Sequence, residues 1–429
     1  MNDAKESFIL FTEREDFDKN QVFESNFYPE TKGGYSFLEL CCYHGAVNCF
    51  KLLRSKFKSE ITETCLKLSF LSGNAEIMNE CLKYHRPDKK CMQFAIISHN
   101  IDFVSFLINE YSLEIDLEDC SNYNNIQVFF VYLDQTKDIN KCFVYSAFFN
   151  IPPLCEYFIL NGADTNSMIN FTLTALNICA SKNLYELAEF LILHGAEVNA
   201  KDNDGSTALH LAAKMNCCKT AEVLILHGAD INARDNRGET PLHISGFHNN
   251  KTFIEFLLSH GADINSQDDD GDTVLHLSAK RNKNDMVEFL ISHGANINVM
   301  NIQGQTPLHF SVFNNNLEST KVLILHGADV NKKDFYGQTA LHLTTFNDNK
   351  EIAELLILHG ADINAKDNMN QTTLHYSADY NSGEIAKLLI SHGVDIDAKD
   401  CSGETAMNHA ARKNHRYIIK QLIPYCSFS

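Results

Sequence analysis

The chain repeats itself every 33 residues over most of its length, and this period restricts the architectures open to it more than any other feature. A Thr-x-Leu-His type motif starts at Thr174, Thr207, Thr240, Thr273, Thr306, Thr339, Thr372 and Thr405, with 33 residues in every interval. A second landmark keeps the same spacing: Gly162, Gly195, Gly228, Gly261, Gly294, Gly327, Gly360 and Gly393, most of them inside His-Gly-Ala-Asp-Ile-Asn or a near variant. A fixed period of this size marks stacked supersecondary units, each burying its apolar face only against its neighbours.

The residues within one period spell out the unit. Thr is a good N-cap, and Pro, as at Pro241 and Pro307, suits the first helical turn, where its missing N–H costs nothing. Nine residues on comes Asn183, Asn216, Asn249, Asn282, Asn315, Asp348, Asn381 or Asn414, residue types that tolerate the left-handed conformation that closes a helix and turns the chain. A second helix follows with paired apolar residues at one offset, from Leu191-Ile192 to Leu422-Ile423, expected to form the core shared between units. The Gly landmark ends it, and turns such as Asp202-Asn203-Asp204-Gly205 follow. With period 33 and Thr-Pro-Leu-His at 240–243 and 306–309, residues 168–429 resemble the ankyrin repeat family. The resemblance implies an all-α solenoid of stacked helix-turn-helix ankyrin repeats with projecting β-hairpin or loop fingers. Units start near 168, 201, 234, 267, 300, 333, 366 and 399. The last lacks the motif's His in Thr405-Ala406-Met407-Asn408 and clusters Arg412, Lys413, Arg416 and Lys420. It reads as a C-terminal cap with a polar outer face, the alternative being a basic functional patch.

Before the array the 33-residue frame is lost, but helix-turn-helix punctuation persists at Gly45, Gly73, His99-Asn100 and Asn150. The first three turns are spaced as ankyrin units would be if their fingers were deleted. Residues 1–29 are taken as an N-terminal segment or cap, 30–140 as degenerate fingerless ankyrin-like helical pairs, and 141–429 as the ankyrin array. The region resembles the degenerate helical region preceding ankyrin arrays in protist proteins; a separate α-helical domain is the alternative. Leu113–Asn125 is the least regular stretch and the expected joint.

No residue stands out as catalytic, cofactor-binding or metal-binding, so no cofactor and no enzymatic activity are expected. Of nineteen histidines, His210, His243, His276, His309, His342 and His375 recur in first helices. His194, His227, His260, His293, His326, His359 and His392 recur before Gly. A residue repeated at one position in every unit is framework; the first set is expected to tie adjacent turns by hydrogen bonds, the second to sit at helix C-termini. His-Glu-x-x-His, P-loop, dinucleotide-turn and nucleophile-elbow motifs are absent. The formal charge of −19 opposes nucleic acid and anionic membranes as partners, and it comes largely from Asp and Glu at turn and finger positions. No apolar run reaches the ~20 residues of a membrane span. Fourteen cysteines without a C-x-x-C pair read as buried thiols, and a cytoplasmic or nuclear location is expected.

Function is therefore expected in the variable surface. In ankyrin proteins partners lie along the concave face made by finger tips and first-helix ends, which here carry Phe247, Ile302, Phe313, Phe335, Tyr336, Phe346, Met369 and Tyr380. All but Phe247 are expected to cluster over three adjacent repeats as a protein-binding patch; the competing view is that the rings only pack on one another. The leading function is a protein-protein interaction module, scaffold or adaptor. The alternative is a targeting or regulatory array attached to an unrecognised N-terminal enzymatic or effector domain, which a pocket of convergent polar residues would reveal.

Overall fold

The computed structural model describes residues 5–425 except 16, 20, 25–32 and 171, so parts of the expected segment 1–29 lie outside the described residues. The chain forms two compact units, Met1–Ile169 and Asn170–Ser429.

In the first unit, helices pair around left-handed residues. Phe37–His44 turns at Gly45 into Val47–Phe57, and Glu63–Ser72 turns at Gly73 into Ala75–Cys81. Lys89–Ile97 turns at His99 into Ile101–Tyr111, Leu117–Asn122 at Asn124 into Ile126–Thr136, and Ile139–Ser146 with a 3₁₀ turn at Asn150 into Pro152–Leu160. The stops repeat because the next residue is often a side-chain cap: Asn74, Asn100 and Asn125 each accept the N–H three residues on, from Ile77, Phe103 and Val128. Leu113–Asn125, expected as a joint, is instead an ordinary member of this series. Asn125 is buried, and its Nδ2 donates to the Ile96 carbonyl at 2.8 Å, binding its hairpin to the preceding one. Upstream, Phe8, Phe11, Phe17 and Phe23 place their rings around Phe37, 4.7–6.1 Å between centroids. Val22–Phe23 and Tyr35–Ser36 form the one antiparallel ladder among the described residues.

The second unit holds the eight-fold array. Its first helices are Ala175–Lys182, Ala208–Met215, Pro241–Phe247, Val274–Lys280, Pro307–Phe313, Ala340–Leu343 (continued as a 3₁₀ turn to Phe346), Thr373–Tyr380 and Ala406–Lys413. Its second helices are Tyr185–Leu193, Cys218–Leu226, Lys251–Ser259, Asn284–Ser292, Leu317–Leu325, Lys350–Leu358, Gly383–Ser391 and Arg416–Leu422. First helices stack on first helices and second on second. Every expected Asn or Asp hairpin residue from Asn183 to Asn414 has positive φ. Of each apolar pair only the leading leucine is fully buried: Leu191, Leu224, Leu257, Leu290, Leu323, Leu356, Leu389 and Leu422 are all 0% exposed. The second member is mostly half-buried. The helix turns 100° per residue, so both cannot face one neighbour. Truncating one of these leucines to Ala costs about 2–5 kcal/mol.

The fingers take the loop form. Asp202 shows how: its backbone N–H donates to Ser206 O and its Oδ1 accepts the N–H groups of Asp204 (2.9 Å) and Ser206 (2.8 Å). Consecutive fingers are joined by one backbone bond each, Asn236 N–H to Asp204 O, Asp269 to Arg237, Ile302 to Asp270, Phe335 to Gln303, Asn368 to Tyr336 and Cys401 to Met369. The acidic residues of the fingers thus cap backbone donors, which accounts for much of the negative charge without invoking a basic ligand.

Candidate functional site

The framework histidines define what the site is not. In His276, Nδ1 accepts the Thr273 backbone N–H at 3.1 Å, so the proton must be on Nε2, which donates to Gln305 O of the next unit at 3.0 Å. His210, His243, His309, His342 and His375 repeat both contacts. Burial disfavours the charged ring and lowers the pKa of all six, to about 4 for His276 and His342. These rings are structural ties. The histidines before Gly close their helix ends, with Nδ1 2.8 Å from the carbonyl four residues back at His194, His260, His293 and His359.

Between the fingers and the first helices runs a groove. Gln303, Gln305, His309, Phe310, Phe313, Asn314 and Lys280 line one stretch of it. The helix-end aromatics along it form a row: the Phe313 and Phe346 rings meet edge to face at 5.6 Å, and Phe346 and Tyr380 at 4.6 Å. Contact does not bury them. Phe313 and Tyr380 stay 53% exposed and Phe346 36%. Phe247 stands apart, its ring covered on one face by the Arg281 guanidinium at 3.5 Å. The finger residues Ile302, Phe335, Tyr336 and Met369 are also exposed; Phe335 lies over Gly304, where an added Cβ would come within 2.7 Å of its ring. The structure links Phe313 and Tyr380 through the Phe346 ring between them and sets the finger residues as a second row on the tips.

Sequence reasoning missed another apolar feature. Leu193, Leu226, Leu325 and Leu358, each the residue before the helix-ending His, are 70–79% exposed. Ser259 and Ser292 interrupt the row, leaving two pairs of leucines. The signal was the unbroken Leu-Ile-Leu triplet, whose third member a one-sided helix has no means to bury.

The first unit has clefts but no catalytic constellation among its described residues. One cleft is lined by Phe130, Leu133, Lys137, Ile139, Tyr157 and Phe158, and its Lys137 is paired with Asp134 at 2.6 Å. Another lies along Phe50, Arg54 and Ile77, where Lys51 pairs with Glu76. Neither gathers a nucleophile and a base. Burial pushes the Cys91, Cys120 and Cys142 thiols up to about 12, away from thiolate chemistry. Cys65 is lowered by the neighbouring Cys42 thiol but is fully buried. The described cysteines form no disulfide, and no described helix is long and apolar enough to cross a membrane.

Comparison with known families gives two matches. Residues 57–132 match a domain of unknown function, DUF3447. Overlapping matches to ankyrin repeats, in sets of three copies, run from 143 to 428. No curated protein matches the chain. Ankyrin repeats are in general protein-protein interaction modules, so the family points to binding rather than catalysis. With two thirds of its length in that match and one repeat per period in its fold, the chain belongs to the ankyrin-repeat family.

Proposed function

We propose that the protein is a scaffold or adaptor that holds a protein partner in the groove between fingers and first helices, over the units that start near 300, 333 and 366. The observation that carries this is the exposed ring row Phe313, Phe346 and Tyr380, flanked by Ile302, Phe335, Tyr336 and Met369 on the tips. Rings held edge to face lose little further freedom on binding, and burying them against a partner supplies most of the energy of a hot spot. The acidic balance argues against nucleic acid as the partner. The described cysteines, largely buried and none in a disulfide, favour a reducing compartment, cytoplasm or nucleus.

The test is partner capture by wild type beside Phe335→Ala/Tyr336→Ala and Phe346→Ala/Tyr380→Ala, with thermal melts of each. Loss of captured protein at unchanged melting temperature of the finger variant supports the reading. Equal capture by both variants refutes it.

A further inference from the structure

The last first helix departs from the others in a way the fold does not require. Its N-cap Thr405 is answered by Asn408, whose Oδ1 accepts the Thr405 N–H at 2.9 Å in place of the usual imidazole. The histidine stands one position later, at His409, and makes no bridge to a following unit. At this register the seven earlier units carry Ile178, Leu211, Ile244, Leu277, Phe310, Leu343 and Tyr376. His409 is 1% exposed, and both its nitrogens face carboxylates: Nδ1 is 3.0 Å from Asp379 Oδ2, while Nε2 is 3.2 Å from Asp400 Oδ2 and 3.6 Å from Glu404 Oε2.

We propose that His409, Asp400 and Glu404 form a binding site for a divalent d-block cation of the zinc class. Zn–N and Zn–O bonds of about 2.0–2.2 Å in a tetrahedron place neighbouring donors roughly 3.3–3.5 Å apart. The two Nε2–oxygen separations bracket that edge, and all three donor atoms lie within 4.8 Å of one another. The cation would replace the Nε2 proton. Asp379 on the opposite nitrogen is placed as the outer carboxylate that fixes the tautomer and orientation of a metal-bound imidazole. Its Oδ1 is buried and has no hydrogen-bond partner. Charge points the same way: the three carboxylates around the ring outnumber the single guanidinium of Arg412, which contacts Glu404. Glu404 is the half-exposed member and opens the site to solvent, where a water would complete the coordination.

The experiment titrates the full chain with Zn²⁺ by calorimetry and with Co²⁺ by visible absorption, in wild type, His409→Gln, Glu404→Gln and Arg412→Ala, with circular dichroism to verify folding. Wild type should bind one ion with the intense d–d bands of a tetrahedral Co²⁺ site. His409→Gln and Glu404→Gln should weaken binding at least tenfold. Arg412→Ala should bind more tightly, because the guanidinium competes for Glu404. If His409→Gln fails to fold, the more exposed Glu404 position carries the test alone. Absence of tetrahedral Co²⁺ bands in wild type, binding insensitive to these substitutions, or weaker binding by Arg412→Ala overturns the proposal. The surface histidines before Gly add only a background common to all four proteins.

Discussion

Acidification from about pH 7.5 to about pH 4.5 should destabilise the array through the histidines of its first helices. His276 and His342 are buried neutral, with Nδ1 occupied by a backbone N–H, and their pKa falls from 6.5 to about 4. In the unfolded chain the same rings take up a proton near 6.5. Stability is therefore intact above 6.5 and drains away as the pH falls toward 4. At about pH 4.5 each ring costs about 2.5 kcal/mol, so the pair costs about 5 kcal/mol. Asp272 works in the opposite sense. Burial raises its pKa to about 6, so its protonation in the fold, ahead of the unfolded value of 3.8, returns about 2 kcal/mol over the same range. Between these three groups the histidines win by about 3 kcal/mol; His210, His243, His309 and His375 act with them, while Glu239 and Asp268, raised by burial, act with Asp272. That is a large part of the ~5–15 kcal/mol typical of a folded domain. Urea unfolding followed by far-UV circular dichroism at several pH values measures it, for wild type and His276→Gln/His342→Gln. A stability that does not change between these pH values, or a double variant with the wild-type pH slope, refutes the reasoning.

Other substitutions separate backbone from contact effects. Gly304 and Gly327 both have positive φ, but a Cβ on Gly304 would strike the Phe335 backbone and ring, while Gly327 faces open space. Gly327→Ala should cost about 1 kcal/mol for its backbone alone, and Gly304→Ala at least another ~1 kcal/mol, compared in the same urea assay. Asn316→Ala removes an Nδ2 that donates to Ala279 O at 2.8 Å and Lys280 O at 2.9 Å of the preceding unit. It should cost about 1–3 kcal/mol and speed hydrogen exchange locally in the units it joins.

How much of this was legible depended on whether a feature repeats. Helix starts, left-handed turns and the buried leucines recur at one period, so each position was seen eight times and its role was plain. The first unit shows the opposite. The pair Asn124-Asn125 is the same left-handed residue and cap as Gly73-Asn74, but with short helices beside it and no strict period it did not stand out. The exposed aromatics could be named from register, yet which rings touch depends on side-chain direction; hence the contact of Phe313, Phe346 and Tyr380 and the capture of Phe247 by Arg281 needed coordinates. The His409 cluster was hidden because Asp379, Asp400 and Glu404 looked like ordinary members of an acidic periodic background.

The bonds between units have one more consequence. Besides the histidine and finger bonds, Asn199, Asn232, Asn265, Asn298, Asn331 and Asn364 each accept a backbone N–H 31 residues on. Every one of these connections links a unit to its immediate successor, and each ends on a main-chain atom that any successor of the same length offers. Excision of residues 267–299 would present His243 with the Gln305 carbonyl where it now meets that of Asp272. The array can be lengthened or shortened by whole periods without stranding any donor of these connections, while a deletion of any other length breaks every one of them at the scar.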